Sequence, residues 1–301
     1  MMQTDAATRR QVSEEITVPV PEHELDEGPR WSKALVLTVD GPAGSGKSTV
    51  ARLVAETLGY QYVDTGATYR ALAWLALDRG IPLDDATRLR GLAIAQPSSI
   101  AYDRGRWVVR IAGHDVTDLI REPRIDDAAS RVARHDEVRD VLVARQRQYS
   151  VARDSVLDGR DCGTRVRPDA ALKVYITADV AERARRRASQ QDGDIADVER
   201  AMRERDERDA RQSVTADDAV TIDTTGMSID EVVDEVIERW LGRRRQLLDG
   251  EMTSNRTAED WIHGMSGPDF EQVLRRSRHI WEKGFRPVSY THLRAHETLR
   301  Y

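Results

Sequence analysis

The 301-residue chain contains a single cysteine, Cys162, and this near absence excludes a whole class of proteins. One cysteine cannot build an internal disulfide framework, and no cysteine–histidine pair has the spacing of a zinc finger. Because thiols stay reduced inside the cell, we expect a cytoplasmic protein in which Cys162 is simply a small buried residue.

Long hydrophobic runs are also missing, although 40% of the residues are hydrophobic. No stretch approaches the roughly 18 consecutive apolar residues that a membrane-spanning helix needs. The first 33 residues are polar and have neither the apolar core nor the cleavage site of a signal peptide. We therefore expect a folded chain with no membrane partner, preceded by a disordered leader at residues 1–33.

Positive charge is not in excess, because the formal net charge is −6. This balance argues against nucleic acid as the main partner, so any bound anion must be held by a local cluster of arginines. Only four of the 46 basic residues are lysines. Because lysine is this rare in the chain, a lysine inside a motif indicates a specific role for that residue.

One of those lysines lies in GPAGSGKST, residues 41–49, between a predicted strand at 34–40 and a predicted helix at 47–58. The segment matches the phosphate-binding pattern G-x-x-x-x-G-K-S/T in its required context. Glycines allow backbone N–H groups to face a phosphate, Lys47 adds a mobile charge, and the Ser48 hydroxyl suits Mg²⁺. The predicted ATP-binding residues are Gly41, Pro42, Ala43, Gly44, Ser45, Gly46, Lys47, Ser48 and Thr49.

A phosphate-binding loop alone does not identify the reaction, since GTPases, ATPases and small-molecule kinases all use one. The chain lacks the N-K-x-D segment with which GTPases bind guanine. A glycine turn that only caps a helix is the structural alternative.

A second polar cluster, VDTGATYR at residues 63–70, follows the next predicted strand. Arg70 is placed to hold an anion at the mouth of a site, with Thr65 and Tyr69 beside it. In the structural alternative, Thr65 caps a helix that begins near Ala67.

A third cluster, LDGRDCGTRV at residues 157–166, follows another predicted strand. Asp158 suits Mg²⁺ or its water ligands, Arg160 suits a phosphate, and Asp161 suits sugar hydroxyls or a base amine. The alternative is a turn closed by internal salt bridges.

Strand and helix patterns alternate over about 210 residues, which predicts an α/β fold with a parallel sheet covered on both faces. Because the carboxyl ends of parallel strands share one edge, the three polar clusters are expected to meet there. The other predicted strands span residues 60–63, 99–103, 106–113, 155–158, 171–177 and 219–224, and the other predicted helices span 68–79, 124–134, 136–149, 179–212 and 228–245.

Residues 181–212 contain nine arginines and nine acidic residues. Equal numbers of both charges are typical of a solvated helical pair with many salt bridges. The same composition suits a mobile lid that brings guanidinium groups to a reacting phosphate. Both interpretations stay open for any single arginine of this region.

Five segments in order, GPAGSGKST, DTGATYR, SRVARHDEVR, DGRDCGT and RERDERD, resemble the bacterial cytidylate kinases, a family of P-loop nucleoside monophosphate kinases. The resemblance covers residues 34–245, and the combination is far more specific than the glycine loop alone. It implies direct in-line, ATP-dependent phosphorylation of CMP and dCMP to CDP and dCDP with Mg²⁺. It also implies a three-layer fold with a five-stranded parallel sheet, a monophosphate-binding insert at about 94–120 and an arginine-rich lid at about 185–212.

The resemblance further assigns roles to single residues. Lys47, Arg160 and Arg205 are the expected catalytic residues, and the chemistry of their motifs makes Ser48 and Asp158 the candidate metal-binding residues, directly or through water. The implied contacts to the nucleoside monophosphate are Thr65, Tyr69, Arg70, Ser130, Arg139, Arg160, Asp161, Arg205 and Asp209.

Several alternatives stay open. Without the resemblance, the sequence is equally consistent with Ser130 as an ordinary helix residue. It is also consistent with Arg139 as an exposed residue on the surface of a helix. After RERDERD the chain is shorter than in many similar enzymes, so Arg211 is only a candidate for the arginine expected there. The acceptor could instead be UMP or AMP, or the chain could be a nucleotide-dependent switch that binds a partner protein. We expect a monomer.

Residues 246–301 are predicted to form an extension of unclear role. The segment is amphipathic in places and is consistent with a docking helix or with the start of a second domain. The last 14 residues, 288–301, are typical of a non-native translated tail, and we assign them no function.

Overall fold

The computed structural model describes residues 34–103, 106–191, 194–210 and 213–252. The predicted leader, Arg211 and the extension from residue 253 onward lie outside the described residues. Within the described ranges, no helix combines the length and the hydropathy that crossing a membrane requires.

Eight strands and eight α-helices follow one another along the described residues. The strands are β1 (Val36–Asp40), β2 (Gln61–Asp64), β3 (Ser98–Asp103), β4 (Arg106–Ile111), β5 (His114–Asp115), β6 (Ser155–Gly159), β7 (Leu172–Thr177) and β8 (Val220–Asp223). The helices are α1 (Lys47–Leu58), α2 (Thr65–Asp78), α3 (Ala86–Ala95), α4 (Pro123–Val132), α5 (Asp136–Tyr149), α6 (Val180–Gln191), α7 (Ile195–Asp209) and α8 (Ile229–Met252).

The central sheet has five parallel strands in the order β2-β6-β1-β7-β8, which confirms the predicted five-stranded parallel sheet. Strand β1 is buried at all of its residues, as expected for a strand covered on both faces. The register places Asp40 beside Gly159 and Asp64 beside Asp158. The carboxyl ends of β1, β2 and β6 therefore bring the three polar clusters to one edge of the sheet.

Helices cover both faces of this sheet and complete three layers. On one face, α1 and α8 contribute to an apolar core that includes Val156 of β6 and the fully buried Trp240. On the other face, α2, α4 and α5 contribute to a second core that includes Leu157, the next residue of β6. Burying one large apolar side chain contributes roughly 1.5–3 kcal/mol, so the two cores fix the strand ends on which the polar clusters lie.

A second, antiparallel sheet of β3, β4 and β5 lies in the predicted insert. The β3–β4 hairpin agrees with the predicted strands, but β4 ends at Ile111 rather than at residue 113. Ala112 and Gly113 have φ angles of 51° and 81° and turn the chain directly into β5. Two consecutive left-handed residues match the twist of a tight hairpin, so the predicted second strand is too long and the third was missed.

Two helices differ from the sequence-based expectation. Helix α3 was not predicted, because Gly91 interrupts its middle; the Asp85 side chain caps it by accepting the N–H of Arg88 at 3.0 Å. Helix α8 continues to Met252, beyond the predicted end at residue 245. The arginine-rich region forms α6 and α7, which fall within the predicted helical range.

Candidate active site

A cleft of about 1360 Å³ opens at the carboxyl edge of the central sheet. Its walls come from the glycine loop, the start of α2, helices α4 and α5, the turn after β6, and the lid helices α6 and α7. The three predicted polar clusters thus line one space. The predicted site residues on its walls are Ala43, Gly44, Ser45, Gly46, Lys47, Ser48, Thr49, Thr65, Tyr69, Arg70, Ser130, Arg139, Asp158, Arg160, Asp161, Arg205 and Asp209.

The glycine loop needs its glycines for steric and conformational reasons. Gly41 has a φ of 154°, and a Cβ there would collide with the carbonyl oxygen of Ile176. Gly46 is left-handed, with a φ of 88°, and precedes the N-terminus of α1, which carries no side-chain cap. Uncapped N–H groups and the helix dipole create positive potential at this end of α1. A phosphate group fits these donors.

Gly41 and Pro42 were predicted to contact ATP, but neither lines the cleft. The Gly41 carbonyl accepts a hydrogen bond from Arg160 at 2.5 Å, and the Pro42 carbonyl accepts one from Lys47 Nζ at 3.4 Å. Burial, together with the nearby Arg160 charge, lowers the pKa of Lys47 to about 8. The protein alone therefore stabilises the Lys47 charge poorly, and an anionic ligand would stabilise it better.

Asp158, the predicted metal-binding carboxylate, is 2% exposed at the end of β6. Tyr62 donates its hydroxyl to Oδ2 at 3.0 Å, whereas Oδ1 is buried without a hydrogen-bond partner among the described residues. Burial raises the pKa of Asp158, and the Lys47 ammonium opposes this rise. An unsatisfied carboxylate oxygen suits a hard cation.

The described ranges contain no group of three or more His, Cys, Asp or Glu side chains that could hold a metal ion. Mg²⁺ commonly binds through one or two carboxylates and takes its other ligands from phosphates and water. The Asp158 carboxylate, whose pKa the nearby Ser48 hydroxyl also lowers, fits that mode and not a site built by the protein alone.

Helix α2 begins at Thr65, and Asp64 caps it by accepting the N–H of Ala67 at 2.9 Å. The alternative in which Thr65 caps the helix is wrong, because the Asp64 carboxylate occupies the cap position. The Thr65 hydroxyl instead donates to the carbonyl of Asp158 at 2.7 Å. The other oxygen of Asp64 pairs with Arg70 at 2.7 Å, so the guanidinium expected to hold an anion already has a carboxylate partner.

Asp40, which had no predicted role, holds the turn after β6. Its two carboxylate oxygens accept the backbone N–H groups of Cys162 and Gly163 at 2.9 and 2.8 Å. Burial raises the pKa of Asp40 to about 6, and these two hydrogen bonds oppose the rise. Cys162 itself is fully buried. The position of Asp40 at a strand end, directly before the glycine loop, is the signal that could have identified it.

Two side chains of this turn form salt bridges with other elements. Arg160 contacts Asp209 of α7 at 3.3 Å, and Asp161 pairs with Arg139 of α5. The alternative of a turn closed by salt bridges among its own residues is therefore wrong for Arg160 and Asp161.

Ser130 and Arg139 are both buried at the cleft. Arg139 is 4% exposed, and its guanidinium carbon lies 5.8 Å from the centre of the Tyr69 ring, so the surface interpretation is wrong. Ser130 of α4 donates its hydroxyl to Asp209 Oδ1 at 3.0 Å. Each residue thus has a partner on another element.

The lid helices contact α4 through charged side chains. Arg205 of α7 contacts Asp209 at 3.6 Å and Asp126 of α4 at 3.2 Å. Arg187 of α6 reaches the same Asp126 oxygen at 2.6 Å. Arg187 and Asp126 line the cleft, although neither was a predicted site residue. Only the arginine-rich composition of the lid pointed towards Arg187.

The cleft wall next to the glycine loop includes Arg186, Thr224 and Met227, which also had no predicted role. Arg186 donates to the Thr224 carbonyl at 2.8 Å and to the Ser45 carbonyl at 3.5 Å. Thr224 directly follows β8, so the strand-end rule that found the other clusters could have found this wall as well.

Comparisons with known proteins point to one family. The family description "Cytidylate kinase" matches residues 37–241. A cytidylate kinase of Symbiobacterium thermophilum is 45% identical over 217 residues, which cover 68% of this chain and 96% of that protein. A cytidylate kinase of Geobacillus sp. (strain WCH70) is 40% identical over 211 residues, covering 67% and 94%. A cytidylate kinase of Pseudomonas aeruginosa is 44% identical over 213 residues, covering 67% and 93%.

The family match spans more than half of the chain and includes every residue described above as lining the cleft. The chain therefore belongs to the cytidylate kinase family.

Proposed function

We propose that this chain transfers the γ-phosphoryl group of ATP to CMP and dCMP, forming CDP and dCDP by direct in-line displacement. One observation carries the proposal: a loop suited to phosphates and a cluster of three arginines line the same cleft. The arginines are Arg70, Arg160 and Arg205, and Arg160 also donates to the loop carbonyl of Gly41. Phosphates held at these two walls face each other, so no covalent enzyme intermediate is needed.

The donor wall binds ATP. The backbone N–H groups of residues 44–49 bind the outer phosphates, and Lys47 neutralises their charge. The lowered pKa of Lys47 supports this role, because a phosphate supplies the counter-charge that the protein lacks. The adjoining wall of Arg186, Thr224 and Met227 accommodates the remainder of the ATP molecule.

The acceptor wall binds the monophosphate. Arg70, Arg160 and Arg205 hold its phosphate by charge-assisted hydrogen bonds. Thr65 and Tyr69 complete the wall beside them. Bringing the lid arginines of α6 and α7 to the transferring group spreads its negative charge and excludes water.

The buried pair of Arg139 and Asp161 recognises the base. Cytosine has ring acceptors next to an amine donor, and this pair has donors next to an acceptor. Uracil has a carbonyl in place of that amine and would place an acceptor opposite the Asp161 carboxylate, which is the kind of mismatch that gives roughly 10⁴-fold discrimination. Ser130, whose hydroxyl donates to Asp209, helps this pair to recognise the base, and Asp209 contacts the nucleoside monophosphate.

Asp158 and Ser48 would hold Mg²⁺, either directly or through water. The buried, unsatisfied Oδ1 of Asp158 supports this placement. When bound, Mg²⁺ neutralises charge on the phosphates of ATP. Tyr62 fixes the orientation of Asp158 through the hydrogen bond to Oδ2.

We also propose that residues 34–245 act as one kinase domain, as a monomer in the cytoplasm, without a nucleic-acid or membrane partner. All residues assigned to the site come from a single chain. The net charge of −6 supports the lack of anionic macromolecular partners. The buried free thiol of Cys162 is consistent with a reducing compartment.

The test is the rate of ADP release from ATP with CMP, dCMP, UMP or AMP as acceptor. We expect kcat/KM for CMP and dCMP to exceed the values for UMP and AMP by about 100-fold or more. A preference for UMP or AMP would replace the proposal with a kinase for that acceptor. ATP hydrolysis that no monophosphate stimulates would favour a nucleotide-dependent switch.

A further inference from the structure

Asp126 is a charged residue of the cleft that the proposed function does not use. It lies on α4, it lines the cleft, and its side chain is 19% exposed. Its Oδ2 accepts hydrogen bonds from Arg187 at 2.6 Å and from Arg205 at 3.2 Å. One carboxylate oxygen thus connects both lid helices, α6 and α7, to α4.

Arg70 also interacts electrostatically with Asp126. Burial lowers the pKa of Arg70, but Asp64 and then Asp126 outweigh it, and the pKa is raised overall. Burial raises the pKa of Asp126, yet Arg205, Arg187 and Arg70 together lower it. Asp126 is therefore an ionised carboxylate among three arginines, two of which are assigned to the CMP phosphate.

We propose that Asp126 is an internal counter-ion, which occupies Arg205 of the acceptor wall in place of a phosphate and competes with CMP for it. Carboxylates and phosphates use the same forked geometry of the guanidinium group, so one can replace the other. The inference rests on the proposed function, because it takes Arg70 and Arg205 to bind the acceptor phosphate.

Two consequences follow for binding. CMP has to displace Asp126 from Arg205 or bind with a negative charge beside its phosphate, and either event lowers its affinity. Until a nucleotide binds, Asp126 holds both lid helices against α4, so its contacts favour one position of the lid. Asp126 thus sets the affinity for the monophosphate without contacting the base or the sugar.

Asp127 provides a matched control. It is the next residue of α4, carries the same charge, and pairs with the lid residue Arg208 at 3.4 Å. Its side chain is 56% exposed, and it does not line the cleft. Asp127→Asn therefore removes one charge and one lid contact without changing the arginine cluster.

The experiment measures the dissociation constants of CMP and cytidine by calorimetry, using the full chain as wild type, Asp126→Asn and Asp127→Asn. We expect Asp126→Asn to tighten CMP binding about fivefold or more, the lower end of typical couplings between groups in a protein. Cytidine lacks the phosphate, so its affinity should be the same in all three proteins. Asp127→Asn should bind CMP as the wild type does.

Unchanged or weaker CMP binding by a folded Asp126→Asn variant would overturn the inference, as would equal tightening of CMP and cytidine. Asp126→Ser, measured alongside, separates the loss of charge from an effect of the new amide and replaces Asp126→Asn if that variant does not fold. If the wild-type chain does not bind CMP at all, the proposed function itself is refuted. If the wild type binds CMP as tightly as the Asp126→Asn variant, only the inference about Asp126 is overturned.

Discussion

The donor and acceptor walls of the cleft are built in different ways. The donor wall is one continuous part of the glycine loop, residues 43–49, which lines the cleft with backbone groups and one lysine. The acceptor wall collects side chains from four helices and a turn, and each of its arginines pairs with an aspartate. These pairs are Arg70–Asp64, Arg139–Asp161, Arg160–Asp209 and Arg205–Asp126.

The difference shows two solutions to holding positive charge near a buried surface. On the donor wall no carboxylate of the described residues forms a salt bridge with Lys47, and burial lowers its pKa to about 8 although Asp158 and Asp64 oppose the shift. On the acceptor wall, permanently charged guanidinium groups would be costly to bury alone, and aspartates neutralise them. Binding of ATP phosphates therefore supplies a missing counter-charge, whereas binding of CMP competes with or rearranges existing ion pairs.

The largest effect is expected at the donor wall. Lys47→Ala removes the only side-chain charge of the loop and should lower kcat by about 10³-fold or more, as for the loss of a key electrostatic group. The Lys47 contact with Pro42 is long, at 3.4 Å, so the melting temperature should barely change. Substantial turnover by a folded variant would count heavily against the role of Lys47.

Arg160 connects the two walls, because it contacts both Gly41 and Asp209. Arg160→Ala should lower kcat by about 10²-fold to 10³-fold in steady-state assays with both substrates varied. Arg165→Ala is the control: Arg165 lies in the same turn, is 38% exposed at its side chain and pairs with Asp140. Similar losses in both variants would indicate a general disturbance of the turn and not a role in transfer.

Asp161 tests whether the acceptor wall recognises the base independently of the donor wall. Asp161→Asn replaces one of the two carboxylate acceptor oxygens with an NH₂ donor, so we expect kcat/KM for CMP to fall about tenfold or more relative to UMP. The KM for ATP should stay close to the wild-type value. An unchanged ratio between CMP and UMP would remove Asp161 from base recognition.

The smallest expected effect is a pH dependence of nucleotide affinity that differs between the donor wall and the acceptor wall. As pH rises through about 8, Lys47 loses its proton in the free protein, and ATP has to restore that charge in order to bind. ATP affinity should therefore fall above pH 8, by at most about tenfold per pH unit, since one proton is taken up. CMP is held by arginines, which stay protonated, so its affinity should be flat between pH 7 and 9.

Calorimetry at pH 7, 8 and 9 checks both trends, with Lys47→Ala as the control, in which the ATP dependence should disappear. If the affinities for ATP and CMP changed equally with pH, the proposal that one lysine binds ATP while arginines bind CMP would be contradicted.

The donor wall could be predicted from the sequence because its geometry is local. Gly41 and Gly46 fix a backbone path between a strand and the helix that follows it, and no distant contact is needed to define the motif. The strand-end rule also placed the clusters around Asp64 and Asp158 at the same edge, because register follows from a parallel sheet.

The acceptor pairs could not be predicted in the same way, because they depend on how distant helices pack. Arg205 and Asp126 are 79 positions apart, and no spacing rule connects them. Arg139 lies in a charge-rich segment typical of a solvated helix, so only the family resemblance pointed to it. The third strand of the insert could not be predicted because the turn before it needs a left-handed backbone at Ala112. Alanine rarely adopts that conformation, so the sequence gives no sign of the turn.

The central claim is that the phosphates of ATP and CMP meet in one cleft between the two walls. Its most direct test is inhibition by one molecule that joins adenosine and cytidine through five phosphates. We expect this molecule to compete with both ATP and CMP and to bind at least about 100-fold more tightly than either nucleotide, because both walls are occupied at once. Competition with only one substrate, at an affinity no better than that of the matching nucleotide, would contradict the claim.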